Sequence, residues 1–247
     1  MATVLIPIPS TDFDPTETAV PWAILRSIGH ALVFSTPDGK MGQADARMLT
    51  GKGLGILAPM LIANANGRIA YDAMQKSWAF QHPIPYRDID ADNYRALLLP
   101  GGHAPGMKPY LESEMLQAKV ADFFAGKKPV AAICHGVLLA ARSRAASGKS
   151  VLFGKRTTAL TRRMEMAAWF LTRAWLGNYY RTYPKAVETE VGEALANKKD
   201  FIRGPMSIMR DSPANPDAGF TVLDGNYLSA RWPGDAHRFA TELEKLL

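Results

Sequence analysis

The sequence predicts a single α/β domain, a mostly parallel sheet covered by helices on both faces. Two observations carry this prediction. Short apolar, β-rich runs alternate with longer stretches of helical period, the order that parallel strands with crossover helices require. One of those runs, residues 129–133, passes into a helix with no residues left over for a loop. At 247 residues the chain suits one such domain with insertions and is short for two independent ones.

Residues 3–8 form the first strand. Asp14 and Pro15 then open a helix whose inner side carries Ala19, Val20, Trp22, Ala23, Leu25 and Ile28 and which stops at Gly29. Residues 31–35 give a second strand, closed by the turn Pro37, Asp38, Gly39. Between 40 and 91 the pattern loosens, with glycines at 51, 53 and 55 and prolines at 59, 83 and 85, and reads as an insertion with one or two helices. Residues 96–99 are a short central strand that leaves the sheet at Pro100-Gly101-Gly102. A helix over 111–124, a buried strand over 129–133 and a helix over 135–146 follow. Beyond them come a short strand at 157–160, an aromatic-rich helix at 164–176, the cluster Tyr179, Tyr180 and Tyr183, and a helix at 187–195. Residues 220–223 and 227–230 make a hairpin around Asp224-Gly225-Asn226, and 235–247 a closing helix. The insertions at 40–91 and 164–210 are expected to form a small helical cap on one domain, 1–247.

Hydrophobic residues make up 47% of the chain and charged residues 21%, which excludes a disordered or fibrous protein. No apolar run approaches the roughly 18 residues of a membrane helix. Residues 1–10 lack a basic n-region, so no export signal is expected and the cytoplasm is the expected compartment. The net charge of +6 is scattered in short pairs such as Lys127-Lys128, Arg162-Arg163 and Lys198-Lys199, a pattern of solvated helix faces rather than a nucleic-acid surface. The one cysteine, Cys134, excludes an internal disulfide and a thiolate zinc cage. There is no G-x-x-x-x-G-K-[ST] loop, no H-E-x-x-H helix and no strand-linked G-x-G-x-x-G, so neither a metal nor a nucleotide cofactor is expected.

Chemistry concentrates at Ala132-Ile133-Cys134-His135-Gly136. A strand that turns straight into a helix forces its central residue into strained backbone angles and needs small neighbours two places to either side, here Ala132 and Gly136. This is the spacing of a nucleophile elbow. It places Cys134 at a helix N-terminus, where unpaired N–H groups and the helix dipole are expected to lower the thiol pKa. The strand ending at residue 99 brings Gly101, Gly102 and His103 to the same sheet edge, where ligands of open α/β folds bind. The N–H groups of Gly102 and His135 are the expected oxyanion hole, with Gly101 and His103 in the substrate pocket. His135 serves as a base if its ring folds back to the sulfur and a carboxylate holds its other nitrogen. The candidate acids are Glu165 downstream and Glu17 on the opposite side. Taken alone each is a surface charge, and only convergence at the sheet edge makes either functional. His30 and His237 read as exposed helix-end residues.

Three separated motifs, L-L-L-P-G-G-H at 97–103, A-I-C-H-G at 132–136 and D-G-N-Y-L-S-A-R-W-P-G-D at 224–235, resemble those of the ThiJ/PfpI superfamily, a group with the class I glutamine amidotransferase-like fold. F-D-P-T-E at 13–17 extends the likeness over nearly the whole chain. The resemblance implies a flavodoxin-like (Rossmann-like) parallel sheet sandwiched by helices. The two insertions resemble the branch of heat-shock chaperones with glutathione-independent glyoxalase III-like activity. Members of that branch carry Cys-His in succession plus a distant acid, and Glu17, Cys134, His135 and Glu165 occupy those places, although Arg162-Arg163-Met164-Glu165-Met166 has no distinctive motif. Amidotransferase subunits instead carry His-x-Glu near the C-terminus. This chain has His237-Arg238-Phe239 there, so ammonia transfer from glutamine is not expected.

The resemblance implies a stress-protective lyase that converts methylglyoxal or a related 2-oxoaldehyde to the 2-hydroxy acid and consumes no cofactor. The Cys134 thiolate would add to the aldehyde, His135 or Glu17 would shuttle a proton through an enediol, and water would hydrolyse a thioester. The expected partner is a small carbonyl substrate, and family members are usually homodimers. The alternatives are a holding chaperone, a peroxide sensor at Cys134, and a cysteine hydrolase of amides.

Overall fold

The computed structural model of the chain describes residues 1–206 and 209–247. Strand β1 (Thr3–Pro7) and the short β2 (Thr11–Phe13) lead into α1 (Pro15–Ser27). Asp14 caps α1: its Oδ1 accepts the N–H groups of Thr16 at 2.7 Å and Glu17 at 3.0 Å, while Pro15 occupies a position where no N–H is needed. Strand β3 (Ala31–Thr36) follows.

The insertion at 40–91 holds more structure than its composition suggests. It forms β4 (Gln43–Ala44), α2 (Ala46–Thr50), α3 (Ala58–Leu61), α4 (Ala65–Gln75), α5 (Trp78–Gln81) and β5 (Ile84–Pro85). Much of it belongs to the body of the domain. The buried face of α4 packs on α1, the Tyr71 and Phe80 rings close on Phe13, and β5 extends the sheet beside β3.

Next come β6 (Ala96–Leu99), α6 (Lys108–Leu111), α7 (Glu114–Ala125), β7 (Val130–Ile133) and α8 (Gly136–Arg142). The helix expected from 111 is two helices, because the Ser113 hydroxyl accepts from Leu116 N–H at 3.2 Å and starts α7 afresh. The helix expected to 146 stops where Ser143 turns extended. The strand expected at 157–160 is reduced to one bridge between Thr157 and Phe201. Then follow α9 (Arg162–Leu176), α10 (Val187–Ala194), the hairpin β8 (Thr221–Asp224) and β9 (Tyr227–Ala230), and α11 (Ala236–Glu244). Residues 207 and 208 of the expected 164–210 insertion lie outside the described residues.

The seven strands run in the order β5-β3-β1-β6-β7-β9-β8, all parallel except the hairpin strand β8. Strands β6 and β7 are buried on both faces, which accounts for their unbroken apolar sequence. The order reverses between β1 and β6, and at such a reversal a crevice opens beyond the carboxyl ends of the strands. Gly101 follows β6 at this edge, Cys134 follows the neighbouring β7, and the first turn of α1 brings Glu17 to both. Among the described residues no helix is long and apolar enough to cross a membrane.

Candidate active site

Cys134 has a φ of +56°, a left-handed conformation that costs a non-glycine residue on the order of 1 kcal/mol. Its neighbours hold it there. Its N–H donates to the Ala230 carbonyl at 3.1 Å, and its own carbonyl accepts from Val137 N–H at 3.3 Å. A Cβ at Gly136 would run into the Leu99 carbonyl, so β6 and the start of α8 approach this closely only with glycine there. A Cβ at Gly101 would lie 2.7 Å from both Glu17 Oε2 and the His135 nitrogen.

Three side chains crowd the sulfur. His135 Nδ1 lies 3.5 Å from Sγ and His103 Nε2 lies 3.9 Å from it. The carboxyl of Glu17 faces the thiol and accepts the Gly101 N–H at 3.0 Å. The His103 ring stands edge-on to His135, and the Thr182 hydroxyl donates to the His103 carbonyl at 2.7 Å. The main-chain N–H of His135 lies against the sulfur, and that of Gly102 has no acceptor among the described residues.

The electrostatics differ from the expectation of a readily ionised, open thiol. Cys134 is fully buried, and burial pushes its pKa well up, with the charges of Glu17 and Asp14 acting in the same direction. A helix N-terminus is worth about 0.3–2 kcal/mol, whereas full burial of an ionisable group shifts its pKa by up to 3–5 units, about 4–7 kcal/mol. Desolvation wins. Burial also raises Glu17 well above the usual carboxylate range, with Asp14 adding to it. Two negative charges in contact without water are untenable, so a thiolate forms here only while Glu17 holds a proton. Burial keeps His135 well below its ordinary value and moves His103 down to about 4, leaving both rings neutral at pH 7.

Glu165 does not hold His135. It is buried, its Oε2 accepts the Val187 N–H at 2.9 Å, and desolvation raises it to about 7. That bond spends it on joining α9 to α10. His135 Nε2 has no partner among the described residues, so the expected third member of a triad is not in place. His237 is also not exposed: it is buried with Nδ1 3.0 Å from Asp211 Oδ1. His30 is half-buried and accepts the Ala2 N–H at 3.1 Å.

Sequence reasoning missed Asp14 and Arg210 as site residues. Asp14 is buried, and desolvation moves it up to about 6, with the Arg210 guanidinium opposing the shift. The Asp-Pro-Thr-Glu sequence carried the signal, because an N-cap aspartate three residues before Glu17 puts both carboxyls at one helix start. Nothing local marks Arg210. Asp14, His103 and Arg210 line a cavity of about 480 Å³ that continues along α9 and Trp232. His103 lines this cavity and touches the sulfur, and so connects the two. The ligand atoms of His103, Cys134 and His135 lie within 4.8 Å of one another, a nitrogen and sulfur set of the kind that zinc or copper accepts.

The chain is similar to a glutathione-independent glyoxalase, hsp3102, of Schizosaccharomyces pombe, at 26% identity over 90% of this chain and 82% of that protein. It is similar to a deglycase of Pyrococcus abyssi at 26% identity over 66% of this chain and 69% of that protein. One uncharacterised relative is matched over 53% of its own length. Among solved structures, glyoxalase III from Candida albicans has a TM-score of 0.66 at 18% identity, covering 100% of this chain and 97% of that one, a likeness of fold. Residues 8–205 match the family model described as ThiJ/PfpI family-like. With four-fifths of its length under that match and an elbow cysteine beyond the carboxyl end of β7, the chain belongs to the ThiJ/PfpI-like family.

Proposed function

We propose that the protein converts 2-oxoaldehydes to 2-hydroxy acids without a cofactor, with Cys134 as the nucleophile. The observation that carries this reading is the Glu17 carboxyl facing the Cys134 thiol across Gly101 at the strained turn, next to His103, which also lines a cavity. The relative named a glutathione-independent glyoxalase supports it.

Glu17, made more basic by burial, takes the thiol proton as the sulfur bonds to the aldehyde carbon. The aldehyde oxygen becomes an oxyanion, accepts from the N–H groups of His135 and Gly102, and takes from Glu17 the proton that came from the thiol, giving a hemithioacetal. The neutral His135 ring then removes the hydrogen of that carbon as a proton and returns one to the adjacent ketone carbon through an enediol. The aldehyde carbon is thereby oxidised to a thioester and the ketone carbon reduced to an alcohol, so no external electron carrier is needed. Water cleaves the thioester, releasing the 2-hydroxy acid and restoring the thiol.

Incubation with methylglyoxal and no glutathione, with lactate as the readout, tests this. Cys134→Ala is expected to lose at least about 10³-fold in turnover, and unchanged output from that variant removes the thiol from the reaction. Glu17→Gln is expected to slow turnover while the thiol titration moves down, because Glu17 raises Cys134. A variant that is merely less stable gives no such opposition between rate and titration.

The relative named a deglycase supports a second reading, cysteine-dependent hydrolysis, in which the same thiol and N–H groups act on an acyl or adduct carbon. Peroxide sensing has no such support, since sensor thiols are of low pKa and burial pushes that of Cys134 up.

A further inference from the structure

The cavity that His103 separates from Cys134 has a volume of about 480 Å³. Methylglyoxal, with about five heavy atoms, fills on the order of 150 Å³ at the ~30 Å³ that a water-sized group occupies in a liquid. Most of the space serves something larger. The lining is also divided by chemistry. Asp14, His103 and Arg210 put polar groups at the end nearest the sulfur, and the rest is mainly apolar, with Met48, Leu61, Met164, Leu171, Met206 and Trp232, though Arg163 and Arg203 also border it.

We infer that the substrate is a 2-oxoaldehyde with an extended apolar substituent, an alkyl chain of several carbons or an aryl ring. This rests on the reading of Cys134 as the nucleophile toward 2-oxoaldehydes. The dicarbonyl head reaches the sulfur past His103, and the tail lies along α9. Ala167 and Ala168 keep that wall low, and the methionines, with unbranched polarizable side chains, adapt to tails of different shape. A phosphorylated or sugar-derived carbonyl would meet Arg163 on the lining, but the other cations there are already engaged, Arg231 by Asp235 at 2.8 Å. Arg203 at the rim is paired with Glu188 at 2.6 Å, and Arg210 faces Asp14.

The test is a glutathione-free series of methylglyoxal, 2-oxohexanal, 2-oxooctanal and phenylglyoxal, with kcat/KM measured from the 2-hydroxy acid formed. Each added methylene is expected to raise kcat/KM about fourfold until the cavity is filled, the factor equivalent to ~0.8 kcal/mol per buried methylene. Ala168→Trp, which fills the wall, is expected to bring the ratio of 2-oxooctanal to methylglyoxal toward one. Leu171→Asp, at a position 39% exposed, gives the same readout without packing bulk into the interior. A flat or falling series with methylglyoxal well turned over overturns the substrate class and leaves the thiol chemistry standing. Ratios unchanged in both variants overturn the placement of the tail. Turnover of no member of the series overturns the functional reading and this inference together.

Discussion

The elbow and the cavity wall meet at His103, but they are held by different forces. On the elbow side, β6, β7 and α8 from Gly136 to Ala141 are buried throughout, and the turn is locked by the glycine contact with Leu99 and by main-chain bonds to β9 and α8. On the other side, α9 fully buries only Glu165 and Thr172 and leaves Phe170, Leu171 and Trp175 exposed. Polar links tether it and its neighbours: Glu165 to Val187 N–H at 2.9 Å, Trp175 Nε1 to the Gly53 carbonyl at 2.7 Å, and Arg142 to Glu190 at 2.7 Å. The Cys134 thiol is thus mounted on a close-packed sheet edge, and the surface that shapes the pocket is mounted on a few replaceable bonds. Substitutions at the elbow should act on the fold, and those in the wall on selectivity and on the pH dependence of stability.

The sharpest way to break this contrast is Gly136→Ala. The added methyl group meets backbone on β6, which cannot give way as a side chain would, so a loss of about 3–5 kcal/mol is expected in chemical denaturation. A loss below 1 kcal/mol would show that the elbow is as yielding as the wall.

A smaller effect is expected at Glu165, with a definite sign. Its pKa of about 7 in the folded chain exceeds the ordinary 4.5, so the native state binds this proton more tightly. Its contribution is present in full below pH 4.5 and is lost as the pH rises through 7. Glutamine keeps the oxygen for Val187 and carries no charge. Glu165→Gln should match wild type near pH 4.5 and exceed it by about 2–3 kcal/mol at pH 8. A difference that stays constant across this range in paired unfolding curves would show that burial does not govern this carboxyl.

The smallest effect sharpens the wall side. Arg142 joins α8 to α10 through both Glu190 oxygens and also donates to the Tyr183 hydroxyl at 3.0 Å. The pair is only partly buried, so Arg142→Leu should cost about 1–2 kcal/mol by thermal melting. A loss as large as that at Gly136 would place the wall within the rigid part of the molecule.

The elbow was legible because its signal is local. Ala132 to Gly136 carries the small residues, the thiol and the strand-to-helix junction within five positions, and steric exclusion along so short a stretch leaves little choice of backbone. The central strands were legible because burial on both faces leaves an unbroken apolar run. The insertion at 40–91 was not, since its order comes from rings such as Tyr71 and Phe80 closing on Phe13, far off in sequence. Glu165 was misplaced for a related reason. Its position after a presumed strand suggested the sheet edge, but the strand is only a bridge, and the carboxyl instead satisfies a helix start that no local pattern links to it.

By itself the sequence determined the parallel α/β order, the turn at Cys134 and the glycines that crowd it, because each depends on residues that are neighbours along the chain. Only the tertiary structure decided the state of the thiol, the want of a partner for His135 Nε2 among the described residues and the size of the pocket. Those depend on how much water is removed and on which charges arrive from more than a hundred residues away, as Glu17 and Asp14 do. Desolvation is a property of the assembled interior, and no spacing along a chain encodes its magnitude.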